Sequence, residues 1–209
     1  TLSGLNNLAM LLKALARHQE AEPLLRQAVQ GYEATLGPWH PDRLACLGNL
    51  ATLLQAMGRH YEAEPLMRQA LEGCEAVLGP AHPDTLSALN NLAMLLKAVG
   101  RHSEAEPMYW RAVRAAEATL GLSNPSTLTL LNNLALLLQE NPAKHAEAEW
   151  LLRRALEGRE AVLGPTHHDT LNALSNLAQL LQAEGKGLEA EPLLRSAVDG
   201  CRAALGAEH

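Results

Sequence analysis

TLSGLNNLAMLLKA runs from Thr1 to Ala14, and TLSALNNLAMLLKA runs from Thr85 to Ala98. Only Gly4 and Ala88 differ between the two stretches, which start 84 residues apart, twice 42. Between them RLACLGNLATLLQA begins at Arg43; TLTLLNNLALLLQE follows at Thr127 and TLNALSNLAQLL at Thr170. The last interval is 43, and the extra residue falls in QENPAKHAEAE, where the third copy reads KAVGRHSEAE. Five copies (1–42, 43–84, 85–126, 127–169 and 170–209) fill the chain as a single repeat array, with no room for a separate domain. A fixed period of this length means stacked units, each unable to bury its apolar face alone.

Each copy holds two helical patterns. In the first copy Leu2, Leu5, Leu8, Ala9, Leu11 and Leu12 recur at spacings of three and four, which puts them on one face of a helix A from about Leu2 to Leu15. A turn follows, Ala16-Arg17-His18 here and Gly58-Arg59-His60 in the next copy, where glycine suits a left-handed helix end. Helix B runs from about Gln19 to Leu36, with Ala21, Leu24, Leu25, Ala28, Val29 and Leu36 on its apolar face. Gly37-Pro38 and Gly79-Pro80 stop it. Asp42, Asp84 and Asp169 are expected to cap the following helix A, and Pro23, Pro65, Pro107 and Pro192 to sit near the first turn of helix B. Glu22–Arg26, Glu64–Arg68, Glu149–Arg153 and Glu191–Arg195 are i,i+4 pairs on a solvated face, each contributing only about 0.2–0.5 kcal/mol.

Small residues fix the packing. Ala9, Ala21 and Ala28 recur in every copy, ending with Ala178, Ala190 and Ala197, so two helix axes approach closely while leucines fill the gaps. Gly31, Gly73, Gly158 and Gly200 lie inside helix B, where glycine costs about 0.5–1 kcal/mol against alanine. Close approach of the following repeat is the expected reason.

Composition agrees with an all-α core. Apolar residues make up 47% of the chain, aromatics 3%, and there is no Phe, so the core is Leu and Ala rather than the β-branched and aromatic mixture of a sheet. A net charge of −6 with few aromatics argues against nucleic-acid binding. No apolar run reaches the roughly 18–20 residues of a membrane span, and no basic segment plus apolar stretch marks a signal peptide. The chain opens inside the pattern without Met, which reads as an excised fragment. Cys46, Cys74 and Cys201, an odd set with no C-x-x-C, read as free thiols in a reducing compartment, so a cytoplasmic location is expected.

Motifs for catalysis or cofactors are missing: there is no G-x-G-x-x-G, P-loop, H-E-x-x-H or G-x-S-x-G, so neither an enzyme nor a cofactor is expected. His18, His60, His102 and His145 hold one place in successive turns, a full repeat apart, which is too far to share a metal ion. His167-His168-Asp169 replaces the His-Pro-Asp found at His40 and His82 and reads as a degenerate loop.

The strings LNNLAMLL, EAEPLLRQA and EAVLGPAHPDTL, with alanines at three fixed places per copy, resemble tetratricopeptide repeats, and among these the 42-residue repeats of kinesin light chain and nephrocystin-like proteins. Leu5, Leu12 and Leu25 replace the large aromatics of shorter repeats, which suits this type. The resemblance covers nearly the whole chain. It implies an α-solenoid, a right-handed superhelix of five helix-turn-helix repeats, that binds a protein or peptide partner in a concave groove lined by the A helices.

On that expectation the groove residues are Asn6, Asn7, Met10 and Lys13 in copy one; Asn49, Thr52 and Gln55 in copy two; Asn90, Asn91, Met94 and Lys97 in copy three; Asn132, Asn133 and Gln139 in copy four; and Asn176 and Gln179 in copy five. Asn7, Asn49, Asn91, Asn133 and Asn176 form a column. Asn is a mediocre helix former, so its recurrence asks for a reason. Its amide can donate to and accept from the main chain of an extended peptide, or tie one repeat to the next; the sequence leaves both readings open. Only Lys13 and Lys97 supply groove bases, which speaks against the acidic cargo of kinesin light chains and for an extended, mixed polar and apolar segment. Two alternatives remain beside this one. One is a self-assembling array that associates end to end through apolar end faces; the other is a sensor segment of a larger signalling protein.

Overall fold

A computed structural model describes residues 1–205, with side chains to residue 203. The described residues form helices α1 (Leu2–Ala14), α2 (His18–Leu36), α3 (Pro41–Ala56), α4 (His60–Leu78), α5 (Pro83–Ala98), α6 (His102–Thr119), α7 (Pro125–Leu138), α8 (His145–Leu163), α9 (His168–Ala183) and α10 (Gly187–Leu205). They include no strand. Odd-numbered helices are the A helices and even-numbered ones the B helices. The chain divides into two compact units, Thr1–Met108 and Tyr109–His209, with the division inside α6.

In the first unit α1 packs on α2 and α3 on α4, and α2 and α4 each cover the next A helix. In the second unit α7 packs on α8, α8 on α9, and α9 on α10. The recurring alanines make this possible. Ala9, Ala21, Ala51, Ala63, Ala93 and Ala105 are all 0% exposed, and so are Ala135, Ala148, Ala178 and Ala190. Around them Leu25, Leu47, Leu54, Leu89, Leu134 and Leu181 are buried, each contributing about 1.5–3 kcal/mol by leaving water.

The glycines inside helix B face the A helix of their own repeat, not the following repeat as expected. A Cβ on Gly31 would collide with Leu2, on Gly73 with Leu44, and on Gly158 with Leu128. The glycine removes side-chain bulk where the leucine starting helix A crosses helix B. At the other end of helix B, Gly37, Gly79 and Gly164 take φ of 90°, 88° and 86°, the left-handed stop anticipated from their place.

Helix starts differ from expectation. Asp42, Asp84 and Asp169 do not cap helix A; they lie within its first turn. The caps are His40, His82 and His167, whose Nδ1 accepts from the Asp42, Asp84 and Asp169 backbone N–H at 3.2 Å each. Asn124 does the same for Ser126 at 2.9 Å. An acceptor must come before the first turn to reach these amides, which the Asp position cannot do. His167-His168-Asp169 is therefore a working cap that has lost its proline. Pro23, Pro65 and Pro107 also lie deeper than expected, at the sixth residue of their helices, where the ring withholds an N–H from the residue four before. The extra residue of the fourth copy is absorbed by a short 3-10 turn, Pro142–Lys144, capped by Asn141.

Candidate functional site

The A helices lie side by side in the first unit, α1 against α3 and α3 against α5. Four of the predicted groove residues, Asn6, Lys13, Asn49 and Thr52, meet between α1 and α3. Asn49 Nδ2 donates to Asn6 Oδ1 at 2.9 Å, joining α3 to α1. Lys13 Nζ donates to Thr52 Oγ1 at 2.7 Å, and Thr52 Oγ1 donates to the Asn49 carbonyl at 3.0 Å. Burial lowers the Lys13 pKa from its ordinary value. In the second unit Asn176 Nδ2 donates to Asn132 Oδ1 at 2.9 Å, joining α9 to α7. The column asparagine of one repeat thus pairs with the asparagine one place earlier in the preceding repeat. These amides tie repeats together, so Asn6, Asn49, Asn132 and Asn176 carry a structural load.

Other predicted residues stay reachable. Asn7 and Gln179 are exposed, Met94 is 42% exposed, and Met10, Gln55, Lys97 and Asn133 are half-buried. Asn90 Nδ2 contacts Met94 Sδ at 3.4 Å. Gln139 and Gln179 line one shallow cavity of about 200 Å³ with Glu140 and Ala183. The Gln139 carbonyl bonds the His145 ring at 2.9 Å, which gives that turn histidine a structural place.

Between α3 and α5 the amide pattern breaks. The place held by Asn6 in α1 and Asn132 in α7 is Gly48 in α3, so Asn91 of α5 has no amide opposite it. A cavity of about 180 Å³ opens there, lined by Gly48, Asn49 and Asn91 and floored by Leu44, Met67 and Cys74. Leu44, Met67 and Cys74 are 1%, 2% and 5% exposed. Burial, then the nearby Asp84 and Glu75 carboxylates, pushes the Cys74 thiol up from its ordinary pKa and keeps it neutral. Sequence reasoning missed this cavity. The departure of Gly48 from the asparagine at the same place in copies one, three and four was the signal that could have found it.

The opposite face, on the B helices, carries charge. The i,i+4 pairs form as read, Arg26–Glu22 at 2.7 Å and Arg68–Glu64 and Arg153–Glu149 at 2.8 Å. Each glutamate also takes a cation from the next repeat: Arg59 to Glu22 at 2.6 Å, Arg101 to Glu64 at 2.7 Å and Lys186 to Glu149 at 2.7 Å. The pairs are rungs of a ladder between repeats, beyond the isolated pairs the sequence suggested.

The family comparison fits this geometry. The tetratricopeptide-repeat model matches residues 1–59, 47–118 and 126–203. The chain belongs to the tetratricopeptide-repeat family. It is similar to a Podosopora anserina protein described as a kinesin light chain with nearly identical TPR-like repeats: 30% identity, TM-score 0.82, covering 97% of this chain and 96% of that one. A second crystal structure under that description matches at 29% identity and TM-score 0.84, over 98% and 96%. BtubC (BKLC) from P. vanneervenii matches at 25% identity and TM-score 0.84, over 98% of this chain and 81% of that chain. Comparison with curated proteins gives no match.

Proposed function

We propose that the chain is a non-catalytic binding module that holds an extended peptide along its A helices. Its repeat family is generally one of protein–protein interaction scaffolds. The observation that carries the peptide reading is the set of accessible amide and thioether side chains on the A helices of the first unit (Asn7, Met10, Gln55, Asn91 and Met94) beside amides already locked between helices. Locked neighbours hold the accessible ones in place, which lowers the ordering cost of binding. Amides satisfy an extended main chain from both sides. The test is a peptide array probed with the parent chain and with Asn91→Ala/Asn133→Ala at matched helicity. Loss of binding in the folded variant supports the reading; a parent chain that binds no peptide overturns it. We place the module in the cytoplasm, on the ground that its three cysteines are all free.

Association through end faces is the second reading, favoured by one contrast. Leu8 and Leu11 of α1 are 47% and 57% exposed, while Leu50 and Leu53, at the same places in α3, are 3% and 0% exposed under α2. Val198 of α10 is 49% exposed where Val29 is 8%. Light scattering across a concentration series decides it: a mass that rises with concentration and falls back in Leu8→Glu/Leu11→Glu supports assembly, and a constant mass rejects it.

A further inference from the structure

The break at Gly48 has a consequence for what the groove selects. No described atom lies within 4 Å of where a Gly48 Cβ would stand, so the glycine is not forced by crowding. What it leaves is the cavity of about 180 Å³ beside Asn91. Size narrows the occupant. Ligand pockets for drug-sized molecules begin near ~300 Å³, whereas a cavity of about 150 Å³ takes one benzene-sized apolar group. Burial orders the walls: Leu44, Met67 and Cys74 form an apolar floor, and Asp84 and Ser87 are exposed at the mouth. The single carboxylate, Asp84, disfavours an acidic side chain there. Asn49 and Asn91, both half-buried, stand beside the opening.

We propose that the cavity between α3, α4 and α5 is an anchor pocket for one uncharged aliphatic side chain, of leucine or methionine size, on an extended peptide whose main chain is held by the Asn91 amide. The inference rests on the peptide reading above and adds its specificity. A peptide main chain at Asn91 takes the place that the missing asparagine would have filled. Its side chain fills the space that Gly48 leaves.

The test uses 12-residue peptides selected by phage display on the parent chain. The selected set is expected to share one Leu or Met, and changing that residue to Asp is expected to weaken binding by about tenfold or more. Gly48→Asn, which gives α3 the residue found in α1 and α7, is expected to weaken the same peptides by about tenfold with helicity retained. Ala88→Leu fills the cavity from the other side with the residue the fourth copy carries at Leu130, and serves if Gly48→Asn does not fold. N-acetyl-leucine methylamide is the second probe, read at the Met67 methyl by NMR; a saturable shift in the parent that is lost in the filled variants is expected. Peptides that bind the filled variants as well as the parent, yet lose affinity for Asn133→Ala, overturn the pocket and leave the groove standing. No selected peptide but a saturable Met67 shift overturns the groove and keeps the pocket. Neither signal overturns both.

Discussion

The α3–α5 junction and the α7–α9 junction are built from copies of one repeat and differ in what their asparagines do. At α7–α9, Asn176 meets Asn132 at 2.9 Å and the junction is closed, as it is at α1–α3 through Asn49 and Asn6. At α3–α5, Gly48 stands where the acceptor should be, and a cavity takes its place beside Asn91. A repeat pattern is thus a set of defaults. With the α1–α3 and α7–α9 junctions locked by the same pair, the loss of one member at α3–α5 leaves a cavity there without loosening the others, because stacked repeats interact only with their neighbours.

Breaking the cover of an A helix is expected to have the largest effect. Leu50→Ala, at 3% exposure, should cost about 2–5 kcal/mol by leaving a cavity. Leu8→Ala at the same place in α1, at 47% exposure, should cost well under that, about 1 kcal/mol or less. Paired urea melts followed by circular dichroism give both values. Breaking a closed junction comes next. Asn132→Ala leaves the buried side of Asn176 without its acceptor and should cost about 1–3 kcal/mol, while Asn91→Ala at the open junction should change stability by about 0.5 kcal/mol or less. Equal costs would mean the two junctions are not different in kind.

Closing the open junction reverses the sign. Gly48→Asn should raise stability by about 0.5–1.5 kcal/mol through the new amide pair, seen as a higher melting temperature. The charge ladder has the smallest effect and does not distinguish the junctions. Burial raises the Glu22 and Glu64 pKa values, but hydrogen bonds from Arg26 and Arg59, and from Arg68 and Arg101, outweigh it; the Lys186 hydrogen bond leads in lowering Glu149. All three carboxyls are held below the ordinary value of 4.5. A carboxylate lowered by folding stabilises fully above its unfolded pKa and loses that contribution as pH falls through the folded one. The melting temperature should therefore be flat from neutral pH to about 5 and fall below about 4. Glu22→Gln/Glu64→Gln should flatten that fall.

Much of this was legible in the chain. Fixed alanines announced which helix faces touch, since only small residues let axes close in. The i,i+4 pairs and the helix-ending glycines were readable because their partners are local. Two misreadings depended on partners elsewhere in space: the leucines opposite Gly31 and Gly73, and the second cation on Glu22 and Glu64. The His40-type caps are local and were misread because helix A begins before the aspartate, at Pro41 and Pro83. The asparagine column was visible as a column, but a single sequence cannot say which amide meets which.

The sequence by itself determined a five-copy all-α repeat chain, its helix pairs and the residues of its A-helix face, because period and local spacing encode them. Only the tertiary structure decided that Asn49 and Asn176 spend their amides on neighbouring repeats and that Gly48 leaves Asn91 beside a cavity. Those outcomes turn on the register between helices some 42 residues apart. That register is set by the packing of Ala and Leu across the stack rather than by any local pattern.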